Sequence, residues 1–174
     1  MKNLPKIETK RLLLRDLSLK DAGQMYEYTS NPIVSKYLLW NPHLDLEETK
    51  EAIVSYKNND SMMQWAITLK KTEILIGVGG FGIINSQMRK GDLGYSFNPK
   101  YWNKGYATEM TKALVNYGFN ELNLVRIQGV IHVNNIPSAK VLEKSGLAFE
   151  AILKNWMLIN KKPVDTKIYS IVKK

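Results

Sequence analysis

The sequence predicts an α/β (α+β) fold, a mixed, mostly antiparallel twisted sheet of about seven strands with helices on both faces. Three observations predict it. Short β-branched or alternating segments recur along the chain. Runs with helical spacing lie between them, framed by capping signals. No repeat, low-complexity tract or Gly/Ser linker interrupts the series. The order is β-α-α-β-β-β-α-β-α-β-β, and 174 residues are about one domain's worth of chain, so residues 1–174 read as a single unit.

The elements follow in order. Residues 7–15 (IETKRLLLR) form a first strand around Leu12, Leu13 and Leu14. Ser18 and Asp21 make a start signal for a helix that ends near Asn31 and Pro32. Asp45 with Glu48 starts a second helix, in which Thr49, Ile53 and Tyr56 recur at helical spacing. Met63, Trp65, Ile67 and Leu69 alternate as a strand. Residues 74–84 are Gly-rich and β-branched and make the next strand; residues 93–97 make a fourth, which stops at Asn98 and Pro99. Ala107, Met110, Leu114 and Tyr117, spaced 3, 4 and 3 apart, are one face of an amphipathic helix. Residues 126–133 are the fifth strand. Asn135 opens another helix, with Pro137 tolerated in its first turn and Gly146 at its end. Residues 149–159 and 166–172 close the chain as an antiparallel pair joined through residues 160–163.

Composition removes several classes of function. There is no cysteine, which excludes disulfides, thiolate-bound zinc or iron–sulfur sites and a thiol nucleophile, and which fits a cytoplasmic protein. The two histidines, His43 and His132, have no partner at metal-ligand spacing, so no metal site is expected. No apolar run approaches the ~18 residues of a membrane span. The opening segment, broken by charges, lacks a signal-peptide core. Lys and Arg number 25 against 16 Asp and Glu, a net charge of +9 that attracts polyanions or a phosphorylated ligand and suits polycationic substrates poorly. No block of five or six like charges marks a nucleic-acid tail.

Two glycine-rich stretches need separating. Gly77, Gly79 and Gly82 satisfy the dinucleotide fingerprint, but that chemistry needs a turn into a helix, and here Ile83, Ile84 and Asn85 continue the strand. They read as glycines of a twisted or bulged strand. The segment from Trp102 to Thr108 does stand between a strand and a long helix. A glycine there, Gly105, lets the backbone approach a phosphate, and the helix's free N–H groups and dipole favour an anion beside Lys104. An ordinary N-terminal turn using glycine for steric relief reads equally well from these residues alone.

That segment resembles the pyrophosphate-binding motif of the GNAT family of N-acetyltransferases. Gly105 and Ala107 match it, while Trp102 stands where many members carry Gln or Arg. The form W-x-K-G-Y-A-T-E is similar to the ribosomal-protein N-terminal acetyltransferase branch, the Rim type. Leu12, Leu13, Leu14 and Arg15 with Asp21 and Ala22 resemble that branch's opening strand and helix. Asn135, Ser138, Glu143, Lys144 and Gly146 resemble its N-x-x-S-x-x-x-x-E-K-x-G element, with Leu147 in place of Phe.

The resemblance implies the GNAT fold, with a V-shaped opening between the fourth and fifth strands that holds acetyl-CoA as co-substrate. Its pantetheine arm would pair with the main chain of Tyr95, Ser96, Phe97 and Asn98. Its pyrophosphate would sit on the amides of Asn103, Lys104, Gly105, Tyr106, Ala107 and Thr108. Asn135 would bond the cofactor arm. Ser138 would protonate the leaving thiol, or is simply a first-turn capping residue. Asp92 would accept the amine proton through water, or is a solvated strand-end residue. An N–H near Phe97 would serve the carbonyl oxygen as it gains charge. Trp40 and His43, in an apolar loop on the acceptor side, are substrate-side candidates. Glu109, in the first turn of the cofactor helix, reads as structural.

The chemistry expected is direct attack of a primary amine on the thioester. No cysteine and no G-x-S-x-G elbow supports an acyl-enzyme. The acceptor reads as a protein N-terminus, with ribosome association in view, or as a small amine such as an antibiotic. A non-catalytic CoA-binding basic protein that docks on ribosome or RNA is the competing class, and the chain is taken as monomer or homodimer.

Overall fold

The structure is a computed structural model and describes residues 4–85 and 87–173. Its elements are β1 (Ile7–Glu8), β2 (Leu12–Asp16), α1 (Ala22–Thr29), α2 (Pro32–Ser35), α3 (Leu46–Asn58), β3 (Met63–Leu69), β4 (Leu75–Asn85), β5 (Lys90–Phe97), α4 (Tyr106–Asn120), β6 (Arg126–His132), α5 (Ile136–Lys144), β7 (Ala148–Ile159) and β8 (Lys162–Val172). The strands form one eight-stranded sheet in the order β1-β2-β3-β4-β5-β6-β8-β7. β5 and β6 pair in parallel, and the neighbouring pairs on either side are antiparallel. Among the described residues no helix is long and apolar enough to cross a membrane.

Strand alternation divides the core into two layers. Leu12, Leu14, Trp65, Ile67, Phe81 and Ile127 face α4 and α5, where they meet Met110, Leu114 and Leu142. On the opposite face Ala66, Leu75 and Val78 pack with Leu17, Met25, Tyr28 and Ile53, beneath α1 and α3. The helical spacing read from sequence sets α4 accordingly. Met110 and Leu114 are fully buried, each contributing about 1.5–3 kcal/mol by leaving water. The glycines of β4 serve close packing, not a ligand: a Cβ on Gly80 would stand 1.9 Å from the Met63 carbonyl oxygen. The strand continues through them to Asn85, with a register shift between Phe81 and Ile83.

Four boundaries differ from the sequence reading, each for a local reason. The first strand is two, because Thr9 folds back on Leu12: its N–H donates to the Leu12 carbonyl at 3.0 Å and its hydroxyl accepts the Leu12 N–H at 2.9 Å. A short helix, α2, follows α1 because the Asn31 side chain caps Ile33 N–H and Pro32 supplies the fixed φ of a first turn. β5 begins at Lys90, so Asp92 lies inside the strand rather than at its entrance. β8 begins at Lys162, since the turn is confined to Asn160 and Lys161, both at positive φ. Pro163 is tolerated because β6 pairs with β8 only from Thr166 onward, which leaves the proline's other side open.

Candidate active site

The parallel seam between β5 and β6 is short. It registers Lys90 with Arg126, Gly91 with Ile127 and Asp92 with Gln128, and then ends. β5 nevertheless stays paired with β4 as far as Phe97. The sheet therefore opens as a wedge between the outer halves of β5 and β6, the fourth and fifth strands of the sequence reading.

The main chain of β5 presents an unpaired edge to this wedge. Asn98 N–H donates to the Ile76 carbonyl at 2.9 Å, towards β4. Alternation then directs the main-chain groups of Phe97 and Tyr95 the other way, into the opening. The Trp102 indole N–H takes the Phe97 carbonyl at 2.8 Å, which leaves the Phe97 N–H facing the wedge. Ser96 and Asn98 bond towards β4. Asn98 is buried and its side-chain oxygen accepts the Lys100 N–H at 3.0 Å, so it shapes the turn out of the strand.

That turn leads to the start of α4. Asn103 and Gly105 both take left-handed backbone conformations, φ 59° and 78°. Gly105 is the N-cap residue and no side chain caps it. The first helical hydrogen bond, from Glu109 N–H to the Gly105 carbonyl at 3.0 Å, leaves the N–H groups of Tyr106, Ala107 and Thr108 free of intrahelical partners. A residue that sequence reasoning missed fixes this end from outside. Arg11, in the turn between β1 and β2, donates to Glu109 Oε2 at 2.6 Å and to the Lys104 carbonyl at 2.9 Å, and lies 4.4 Å over the Tyr106 ring. Thr9 and the Arg11 N–H hold the other oxygen of Glu109. Burial pushes the Glu109 carboxyl up, but these donors outweigh it and hold it below its usual value. Glu109 is a structural anchor, as its first-turn position suggested.

Across the wedge, Ser138 sits in the first turn of α5, where Asn135 Oδ1 accepts its N–H at 3.3 Å. Ser138 Oγ stands 2.8 Å from the Tyr95 hydroxyl, which bridges the opening. Asp92 belongs to the other face. A Cβ on its neighbour Gly91 would meet Phe81 and Leu124, on the α4 side, so Asp92 points towards α1–α3. It is half-buried, with Oδ1 3.7 Å from Lys90 Nζ. Burial raises its carboxyl above the ordinary value, against the pull of Lys90, Gln128 and Arg126. The two candidate catalytic groups thus flank the wedge from opposite faces of the sheet.

The acceptor-side candidates divide. His43 is buried, its Nδ1 2.8 Å from the Thr49 hydroxyl and its N–H on the Thr29 carbonyl. Burial lowers its pKa. It anchors the loop between α2 and α3 rather than lining an open surface. Trp40 packs against it, with ring centroids 5.3 Å apart. The aromatic pair that does reach the wedge was not read from sequence: Tyr37 of the same loop stacks on His132 at the end of β6, centroids 4.9 Å apart. His132 Nδ1 accepts the Asn134 N–H at 3.0 Å. Period-2 alternation in β6 places His132 on the same face as Gln128, a signal present in the sequence but meaningless without the register.

Comparison with known proteins agrees with this geometry. Residues 11–148 match the family model described as an acetyltransferase (GNAT) domain. The uncharacterised N-acetyltransferase YnaD of Bacillus subtilis (strain 168) is 36% identical over 166 residues, 95% of this chain and 96% of its own. The crystal structure of a GNAT-family acetyltransferase from Bacillus anthracis superposes with a TM-score of 0.87 at 32% identity, covering 97% and 98% of the two chains. The chain belongs to the GNAT family and is an acetyltransferase. At the level of fold alone it also resembles RimL, a ribosomal alpha-N-protein acetyltransferase solved with coenzyme A, with a TM-score of 0.87 at 18% identity over 97% of this chain and 98% of that one.

Proposed function

We propose that the chain, acting as one N-acetyltransferase domain, transfers the acetyl group of acetyl-CoA by direct attack to a primary amine, with a protein N-terminal amine as the leading acceptor. One observation carries the reading: the wedge between β5 and β6 leads directly to an uncapped helix N-terminus behind a left-handed glycine. The amides of residues 103–108, with Lys104, form a cradle suited to a diphosphate. The open edge of β5 at Tyr95 and Phe97 suits an amide-bearing arm. Asn98 contributes by shaping the turn, and Asn135, its oxygen committed to Ser138, offers only its NH2 group.

The reaction needs a neutral amine, a donor for the carbonyl oxygen and a stabilised leaving thiolate. Asp92, on the α1–α3 face, receives the amine's proton, directly or through water. The Phe97 N–H faces the opening and serves the developing oxyanion. Ser138 presents its hydroxyl to the leaving sulfur from the opposite face. Tyr37, His132 and Trp40 border the acceptor's approach. The net charge of +9 favours acceptors carried on a polyanion such as the ribosome over free polyamines. A cytoplasmic setting follows from that acceptor.

The test is an acetyl-CoA titration followed by a thiol-release assay on short peptides with free Ser or Ala N-termini, alongside small amines. Binding with turnover on the peptides is expected. Turnover confined to small amines reassigns the acceptor, and absence of acetyl-CoA binding removes the reading.

A further inference from the structure

Resting on that reading, we infer that Tyr95 is a positioning residue for Ser138: its phenol donates to Ser138 Oγ and so directs the serine's single proton towards the leaving sulfur. The two hydroxyls meet at 2.8 Å across an opening whose walls share no main-chain pairing beyond Asp92 and Gln128. Tyr95 reaches from β5 and Ser138 from α5, so the contact is made between walls and is not a by-product of either element's regular structure. Asn135 holds the Ser138 N–H and thereby fixes the first turn that carries the hydroxyl.

The direction of the bond follows from acidity. A phenol is a far stronger donor than an aliphatic hydroxyl, and serine has one proton but two lone pairs. With the phenol on one lone pair, the serine proton is left for a third group. Burial pushes the Tyr95 phenol up to about 12, so it stays protonated, and a donor, throughout the neutral range. During transfer the amine lone pair forms the new C–N bond, and the carbonyl–sulfur bond breaks with its electron pair going to sulfur. Sulfur, as it gains the pair, accepts a hydrogen bond from the Ser138 O–H, and Ser138 Oγ in turn accepts from the Tyr95 O–H, so both hydroxyls keep their protons. The proton shed by nitrogen passes to Asp92 and on to water, and the released thiolate takes a proton from water. Thioester and amine become amide and thiol with nothing left over.

Ser138 alone would be a weak device, because a freely rotating hydroxyl spends its proton on water or on a helix carbonyl. The alternative for Tyr95 is plain packing beside Phe97, whose ring centroid lies 6.0 Å away. Titration of bound coenzyme A separates these roles and needs no acceptor. The full chain is saturated with coenzyme A, and thiolate formation is followed by its ultraviolet absorbance against pH, for the unaltered protein, Tyr95→Phe, Ser138→Ala and the double variant. The bound thiol is expected to ionise about one pH unit below coenzyme A titrated free in the same buffer. Tyr95→Phe is expected to reduce the thiolate-to-thiol ratio of the bound coenzyme A at fixed pH about tenfold. The double variant is expected to match Ser138→Ala, since the phenol acts only through the serine. If Tyr95→Phe leaves the thiol titration unmoved, or its effect adds in full to that of Ser138→Ala, the assignment is overturned. Failure of the unaltered protein to bind coenzyme A would instead overturn the acetyl-transfer reading on which it rests.

Discussion

The two ends of the wedge are built from different materials. At the α4 end the groups facing the opening are main-chain amides, set by two left-handed residues and held from behind by Arg11, Thr9 and Glu109. At the other end, where we propose that the acceptor enters, they are side chains, Asp92 on β5 and, on the neighbouring β6, His132 stacked on Tyr37 of the loop. The loop itself carries apolar side chains out into solvent, Leu39 at 67% and Leu44 at 86% exposure. On the proposed reading, an end made of amides holds what every acetyl donor of this type shares, whereas one made of side chains is free to discriminate among amines.

The sharpest way to break the contrast is Gly105→Glu. A glutamate must adopt φ 78° and places a carboxylate on the cradle. Acetyl-CoA affinity measured by calorimetry is expected to fall ~100-fold or more while the fold persists by circular dichroism. An unchanged affinity would place the diphosphate elsewhere. Asp92→Asn should act on the other end, lowering kcat about 100-fold with acetyl-CoA affinity preserved. In the unaltered enzyme the raised Asp92 pKa means that activity is lost as pH falls through that value, because the base is then protonated. In the variant the acidic limb should move up to the ionisation of the amine itself, ~8 for a peptide N-terminus. A limb that stays in place would remove Asp92 from the reaction. The smallest expected effect belongs to Arg11→Ala, which touches no reactant. It removes the cation beside Glu109, whose carboxylate keeps only the Thr9 hydroxyl and the main-chain N–H of position 11, so KM for acetyl-CoA should rise about two- to fivefold, the range of a first-turn charge effect, with kcat unmoved. A change in kcat instead would mean that the hairpin supports the chemistry and not the cradle.

How legible each end was in the sequence follows the same division. The uncapped start of α4 could be read, because glycine before an amphipathic helix is a local signal and Gly105, Met110 and Leu114 lie within ten residues of one another. The strands and helices were readable for the same reason. Where the reading failed, a non-local or single-residue contact decided. Thr9 split the first strand through one hydroxyl. Pro163 entered β8 because β6 happens to end opposite Thr166. Arg11 bonds a carboxylate 98 residues away, and no periodicity records such a pairing. Tyr37 and His132 meet only because the seam between β5 and β6 sets which face each strand residue takes. His43, conspicuous as one of two histidines, was drawn into the loop's interior by Thr49.

A grip made of peptide groups is indifferent to most substitutions around it. If the donor is held as proposed, mutation can redraw the outer loops, reverse their charge or lengthen the β7–β8 hairpin, and its anchorage survives so long as one position keeps its left-handed turn and one helix keeps its first residues bare. Such an architecture lets new acceptors be tried at low risk to the chemistry, as a tool with a fixed handle takes interchangeable bits.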